Sequence, residues 1–221
     1  MLVFTNIYEP NVKTEHMLKS FKRFGYEMEV HDTPLPNGRI LKDLYRAYGE
    51  CGHETFLYSD GGDTYCQIPF FVPEDVLLWS AEQACYPLPD RASGHPPADS
   101  PWRYLNNGGY CGPTKLMTEF VKRYQLDKIP DDCTGQLEVM DAFIKANGEG
   151  FPIQLDYECE VFQSIAFDSQ PNGSPATHED GIYNGTDFEV GTFISNRVTE
   201  TTPAILHGNG LTPMEWIYDT V

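Results

Sequence analysis

Lysine and arginine are scarce in this chain. Fifteen of them stand against 33 aspartates and glutamates, a formal charge of −18 over 221 residues. No Lys/Arg-rich run interrupts the acidity, so a general nucleic-acid or anionic-membrane surface is disfavoured: such a chain repels polyanions. The plainer consequence of the acidity is solubility. Long apolar runs are missing too, and nothing approaches the ~18 consecutive apolar residues of a membrane span. The opening MLVFTNIYEP has no basic segment and breaks at Thr5, which fits a first β-strand and not a signal peptide. The six cysteines (51, 66, 85, 111, 133, 159) form no CxxC pair and no zinc-ligand spacing. They are expected as free thiols in a reducing, cytoplasmic setting. Repeats and low-complexity tracts are also absent, so one domain over 1–221 is expected.

What is present reads as alternating strands and helices. Leu2 to Ile7 is β-rich. Lys13 to Phe24 places Met17, Leu18, Phe21 and Phe24 at helical spacing and stops at Gly25. Tyr26 to His31 predicts a second strand. Ile40, Leu41, Leu44, Tyr45 and Tyr48 predict a second amphipathic helix, and Phe56 to Ser59 a short buried strand. Strand, helix, strand, helix, strand is the pattern of a parallel α/β sheet. Further on, Val76 to Ala81 reads as a strand and Cys85 to Trp102 as a loop. Helices are expected from about Pro113 to Tyr124 and Gln136 to Ala146, and a last strand in PAILHGNG, 203–210. The polar, Gly- and Pro-rich stretch 168–191 predicts a flexible insertion.

Open α/β sheets bind ligands beyond the carboxyl ends of their strands, and Asp60 sits at such an end. Asp60-Gly-Gly-Asp63 offers two hard oxygen ligands on one turn, with glycines that let backbone approach a bulky anion. The same four residues are also a plain turn, since Asp and Gly are common turn formers. His207 ends an apolar strand before Gly-Asn-Gly. An imidazole joining carboxylates suits Mn²⁺ better than Mg²⁺, although a lone strand-end histidine is more often an ordinary hydrogen-bonded residue. LNNGG, 105–109, is placed between a strand and a helix, where amides could read sugar hydroxyls or a phosphate, or where an Asx-stabilised turn could form. Glu82, Cys85 and Tyr86 follow a strand end: Glu82 as a base or supporting carboxylate, Tyr86 as a stacking surface.

These segments, in this order, resemble the glycosyltransferase domain of the procollagen lysyl hydroxylase family. The matching pieces are Asp60-x-x-Asp63, SAExxCYP (80–87), YLNNGG (104–109), an acidic patch before Gln-Leu (131–137), LDYECEVFQ (155–163) and HGNG (207–210). The resemblance runs over nearly the whole chain. It implies a Rossmann-like GT-A fold with a mostly parallel central sheet, a UDP-sugar donor, and Mn²⁺ (or Mg²⁺) on Asp60, Asp63 and His207. It implies Thr5 near the uridine, Asn106, Asn107, Gly108, Tyr86 and Gly208 along the donor, and Glu82, Asp132 and Gln136 as the catalytic group. The iron-dependent oxygenase part of the long family members has no counterpart here, so no hydroxylase activity is expected.

Two departures stand out. The family carries an aromatic residue just before the second aspartate, packed on the uracil; here that place is Gly62. The family also has aspartates directly before its Gln-Leu, whereas Thr134-Gly135 separate Asp131 and Asp132 from Gln136. The resulting expectation is a metal-dependent glycosyltransferase acting on a hydroxyl of a protein, glycan or small molecule. A hydroxylated nucleobase is the less favoured acceptor. Rival readings are a non-catalytic nucleotide-sugar or glycan binder and a hydrolase of nucleotide sugars.

Overall fold

Leu2–Asn6 (β1) is buried along its whole length, as a strand must be when both faces of its sheet are covered. The computed structural model describes residues 1–7, 11–31, 35–166, 188–209, 212 and 214–218. After β1 come α1 (Val12–Lys22), β2 (Glu27–His31), α2 (Asn37–Glu50), β3 (Thr55–Ser59) and β4 (Thr64–Cys66). Then follow β5 (Leu77–Glu82), a 3-10 turn at Pro89–Gly94, β6 (Tyr104–Pro113), α3 (Thr114–Arg123) and α4 (Gln136–Gly148). The remainder is β7 (Ile153–Leu155), β8 (Phe162–Ala166), β9 (Phe188–Val190), β10 (Ile194–Asn196), β11 (Ile205–Asn209) and α5 (Glu215–Tyr218).

The central sheet has the order β2-β1-β3-β6-β5-β7. Only β6 runs against its neighbours, so the sheet is mostly parallel, and the mixed α/β architecture is that of a Rossmann-like GT-A fold. A smaller sheet, β4-β11-β8, lies beside it, and β9 pairs with β10. The insertion expected at 168–191 falls outside the described residues up to 187; its end forms β9.

Alternation along the strands sorts the core into two faces. Leu2, Phe4, Phe56, Tyr58, Leu77, Trp79 and Tyr110 share one cluster with the apolar stripe of α2 and with Phe120 and Phe143 from α3 and α4. Val3, Leu57, Leu78 and Cys111 share the other with Met17 and Phe21 of α1 and with Phe162 and Ile205 of the small sheet. Helix α1 begins where Asn11 accepts from the Thr14 N–H (3.1 Å) and Thr14 Oγ1 accepts from the Asn11 N–H (3.3 Å), a reciprocal cap. Burying Met17 and Phe21 then contributes ~1.5–3 kcal/mol each. At the middle of the sheet Tyr110 stacks between Tyr58 (4.8 Å) and Trp79 (4.9 Å).

LNNGG differs from its expected place. It is the interior of β6, not a loop before a helix. Trp79 pairs with Tyr110 but the next residue, Ser80, pairs with Asn106, so three residues of β6 bulge away from β5. Opposite, β3 keeps its register through Ser59–Gly109, and Asn106 Oδ1 accepts from the Gly108 N–H (2.9 Å). Asn and Gly suit such a bulge because a short amide can bond its own backbone and glycine tolerates the bend.

The turn between β3 and β4 needs both of its glycines. A methyl group on Gly61 would run into the Asn6 carbonyl at the end of β1, and Gly62 has φ +98°, a region that side chains disfavour. Thr64 Oγ1 bonds the Asp60 carbonyl (2.8 Å) and the Gly208 N–H bonds the Asp63 carbonyl (2.8 Å), so the turn is pinned to β4 and β11. Gly61→Ala is expected to destabilise the fold by ~1–3 kcal/mol, the usual cost of overpacking. A chemical-denaturation midpoint unchanged from wild type would contradict the tight approach to β1.

Candidate active site

At the strand ends lies a cavity of about 510 Å³. The β3–β4 turn brings Asp60 and Asp63 into it, and β11, paired to β4 with His207 opposite Thr64, brings the imidazole. His207 Nε2 stands 3.8 Å from Asp60 Oδ2 and 3.7 Å from Asp63 Oδ1. One donor atom from each of the three residues lies within 4.8 Å of the others. Asp60 is oriented by Tyr58, whose hydroxyl donates to Oδ1 (2.6 Å). Asp63 Oδ1 is buried without a hydrogen-bond partner among the described residues. Burial pushes the Asp63 carboxyl up to about 6; His207 opposes that rise and Asp60 adds to it. Two hard oxygens and one imidazole nitrogen, one oxygen orphaned, fit a divalent cation such as Mn²⁺.

Across the cavity a polar network joins β5, β6, β11 and α4. Gln136, the first residue of α4, uses its whole amide: Oε1 accepts from the Asn107 N–H (2.9 Å), and Nε2 donates to the Leu105 carbonyl (2.7 Å) and Glu82 Oε1 (3.2 Å). Asn209 donates to Glu82 Oε2 (2.9 Å) and Ser164 Oγ (2.6 Å). Trp79 Nε1 donates to Asn107 Oδ1 (3.3 Å). Burial pushes the Glu82 carboxyl up to about 8, although hydrogen bonds from Asn106 and Asn209 favour its charged form. Tyr86 is half exposed at the rim.

The cavity thus gathers Asp60, Asp63, His207, Glu82, Tyr86 and Gln136, together with Asn106, Asn107 and Gly108. Thr5, Asp132 and Gly208 are not among its lining residues. Thr5 is fully buried with its hydroxyl toward Met17 of α1, because it shares the strand face of Val3; Asn6, on the opposite face, lines the cavity. Asp132 is exposed. Its segment packs on the start of α2, where Asp131 pairs with Lys42 and a Cβ on Gly38 would strike the Pro130 carbonyl. Gly208 lies against Met214 and Thr212 and contributes its N–H to Asp63. Sequence reasoning passed over Asn6, Tyr58 and Asn209. The strand-end rule that singled out Asp60 applies equally to Asn6, and Asn209 lies inside the quoted HGNG.

No lysine or arginine is among the described residues that line the cavity. Acid groups, an imidazole and neutral amides at the strand ends of a GT-A-type sheet are consistent with a domain of the glycosyltransferase class. The model of the PLOD GT domain matches residues 69–218, and the chain belongs to that family. It is 29% identical over 235 residues to procollagen-lysine,2-oxoglutarate 5-dioxygenase 2 of Mus musculus, covering 96% of this chain and 30% of that protein. It is 28% identical over 149 residues to the human multifunctional procollagen lysine hydroxylase and glycosyltransferase LH3, covering 64% and 18%. An uncharacterized protein, R699, of Acanthamoeba polyphaga mimivirus is 29% identical over 160 residues, 67% of this chain and 30% of that one. The chain therefore spans less than a third of these relatives' length. Among the described residues no helix is long and apolar enough to cross a membrane, and all six cysteines are free.

Glu82 gives the fold a pH signature. Its folded value, about 8, lies above the 4.5 of an ordinary glutamate. Between these two the folded state holds a proton that the unfolded chain has released, so stability falls as pH rises through that window. The slope is at most ~1.4 kcal/mol per pH unit. In Glu82→Gln this contribution is expected to vanish, and melting curves from pH 4.5 to 8 should show a smaller decline than wild type. Equal declines in both proteins would mean that Glu82 is charged throughout.

Proposed function

We propose that the chain moves a sugar from a UDP-sugar donor to a hydroxyl acceptor, with Mn²⁺, or Mg²⁺ in its place, held by Asp60, Asp63 and His207. The observation that supports this best is the convergence of those three side chains in a cavity without a lysine or arginine. A diphosphate approaching a −18 protein through such a cavity needs a cation that the side chains do not provide. A divalent ion there would neutralise the diphosphate and act as Lewis acid on the leaving group.

The protein's own groups have separate tasks in this reading. Asn6 and the backbone of Gly61 bound the β1 end of the cavity, where the nucleoside would lie. Asn107 and Asn209, held by Trp79 and by the Ser164–Glu82 pair, would orient sugar hydroxyls. Among the described residues Glu82 is the one carboxylate lining the cavity besides the aspartate pair. A value near 8 suits a group that gives and takes a proton at neutral pH. Gln136 holds Glu82 and the β6 bulge rather than meeting the substrate. Tyr86 offers an aromatic face at the mouth. The names of the relatives point to procollagen lysine, so a hydroxylated side chain on a protein is the acceptor we favour over a glycan or a small molecule. Free thiols agree with a reducing compartment such as the cytoplasm.

One observation favours a second reading, a non-catalytic nucleotide-sugar binder: Asp131 and Asp132 lie away from the cavity, so the acidic patch does not join Glu82. Slow release of UDP from the donor without acceptor separates the two, since a binder releases none.

Thermal unfolding with UDP, with Mn²⁺, with both, and with both plus chelator tests the site. A rise that needs both ligands is expected, worth ~2.7 kcal/mol at a hundred times the dissociation constant. Asp63→Ala should lose that rise and all transfer. Transfer that persists in metal-free buffer would refute the ion's role.

A further inference from the structure

The His207 ring is not oriented in the usual way. A metal-ligating histidine normally donates its second ring N–H to a carboxylate, a carbonyl or water, and that bond sets the ring's angle. Nδ1 of His207 is buried and, among the described residues, makes no hydrogen bond to any protein group, so no carboxylate or carbonyl there sets this ring. What it has instead is a surface to lie on. A Cβ built on Gly108 would collide with Cε1 of the ring and stand 2.7 Å from both Nδ1 and Nε2. The edge of the imidazole that carries both nitrogens therefore rests on the bare Cα of Gly108.

Glycine is required here for space and not for backbone freedom. The φ of Gly108 lies outside the left-handed region, so alanine would meet no conformational penalty of its own. Nor can the backbone retreat. The Gly108 N–H is bonded to Asn106 Oδ1 and its carbonyl accepts from the Asp60 N–H, both at 2.9 Å. The second of these bonds ties the β6 bulge to the aspartate that the ring faces. The ring has no easy exit either: His207 is 4% exposed, and β11 is flanked by β4 and β8.

We propose that Gly108 is a positioning residue of the metal centre: the missing side chain at the β6 bulge sets the His207 imidazole so that Nε2 faces Asp60 and Asp63. This rests on the metal reading above and adds a residue that acts through His207 rather than on the ion.

The test compares wild type, Gly108→Ala, His207→Ala and the double variant, by titration with Mn²⁺ alone and by ¹⁵N NMR of the imidazoles in metal-free protein. Gly108→Ala should weaken Mn²⁺ binding about 10- to 100-fold, the range for losing an orienting partner. It should also move the His207 ring signals while the other five histidines stay in place. The double variant should bind no more weakly than His207→Ala, because with the ring gone the added methyl has nothing to displace. If Gly108→Ala does not fold, the double variant should recover the unfolding midpoint of His207→Ala.

Wild-type binding with an unaffected Gly108→Ala overturns the proposal alone. Losses that add in the double variant, or a fold that removing the ring does not rescue, overturn it as well, since Gly108 would then be merely structural. A wild type that takes up no Mn²⁺ overturns the metal reading, and unmoved ring signals would then dispose of the positioning role separately.

Discussion

Asp63 is half-buried beside Asp60, one of its oxygens is sealed from solvent, and only His207 and, more weakly, Lys13 draw on its charge; the site is built around that electrostatic demand. Burying an unpaired carboxylate is costly, and the group raises its pKa unless charge of opposite sign arrives. The imidazole of His207 supplies part of the answer and an ion would supply the rest. Three separate pieces of chain meet this demand: the β3–β4 turn, the strand β11, and the β6 bulge on which the imidazole lies. The two hydrogen bonds that pin the turn, from Thr64 and Gly208, run to the two strands of the small sheet that flank it. Disturbing the small sheet therefore disturbs the donor set.

The core and the site share side chains. Tyr58, Tyr110 and Trp79 form the aromatic stack at the middle of the sheet, and two of them bond residues of the cavity wall with their polar tips. The Tyr58 hydroxyl holds Asp60 and the Trp79 indole holds Asn107. The third polar tip, the Tyr110 hydroxyl, shares a hydrogen bond with Tyr48 of α2 (2.8 Å). Tyrosine and tryptophan are suited to this because one body fills the core while the other end needs a partner. Rigidity of the sheet is thereby transmitted to the groups that would meet substrate.

The opposite wall depends on one amide. Gln136 opens α4 just after Gly135, whose φ of +79° lets the chain turn into the helix. From there it bonds β6 and Glu82 at once. The acidic residues that precede it are drawn away by Lys42 and by the packing of their backbone on Gly38. Glu82 is consequently left without a second carboxylate beside it among the described residues, and burial rather than like-charge repulsion sets its proton affinity.

Local pattern was enough for much of this molecule. Helix periodicity in α1 to α4, the buried strands and the strand-end position of Asp60 were all legible, because burial on one or both faces dictates spacing along the chain. The order of short motifs made the family legible as well. Other features depend on contacts between residues far apart in sequence. LNNGG as a bulged strand, Thr5 turned toward α1 while Asn6 faces the cavity, and Asp132 held off the site all follow from pairing and packing. Another such dependence is that of Gly108 on His207, 99 positions later in the chain, since nothing in Asn-Asn-Gly-Gly reveals which ring will need the missing side chain. Sequence by itself determined the main helices, the first buried strands and which residue types stand at the strand ends. Only the tertiary structure decided which of them meet, because a donor set is made by distances across the fold.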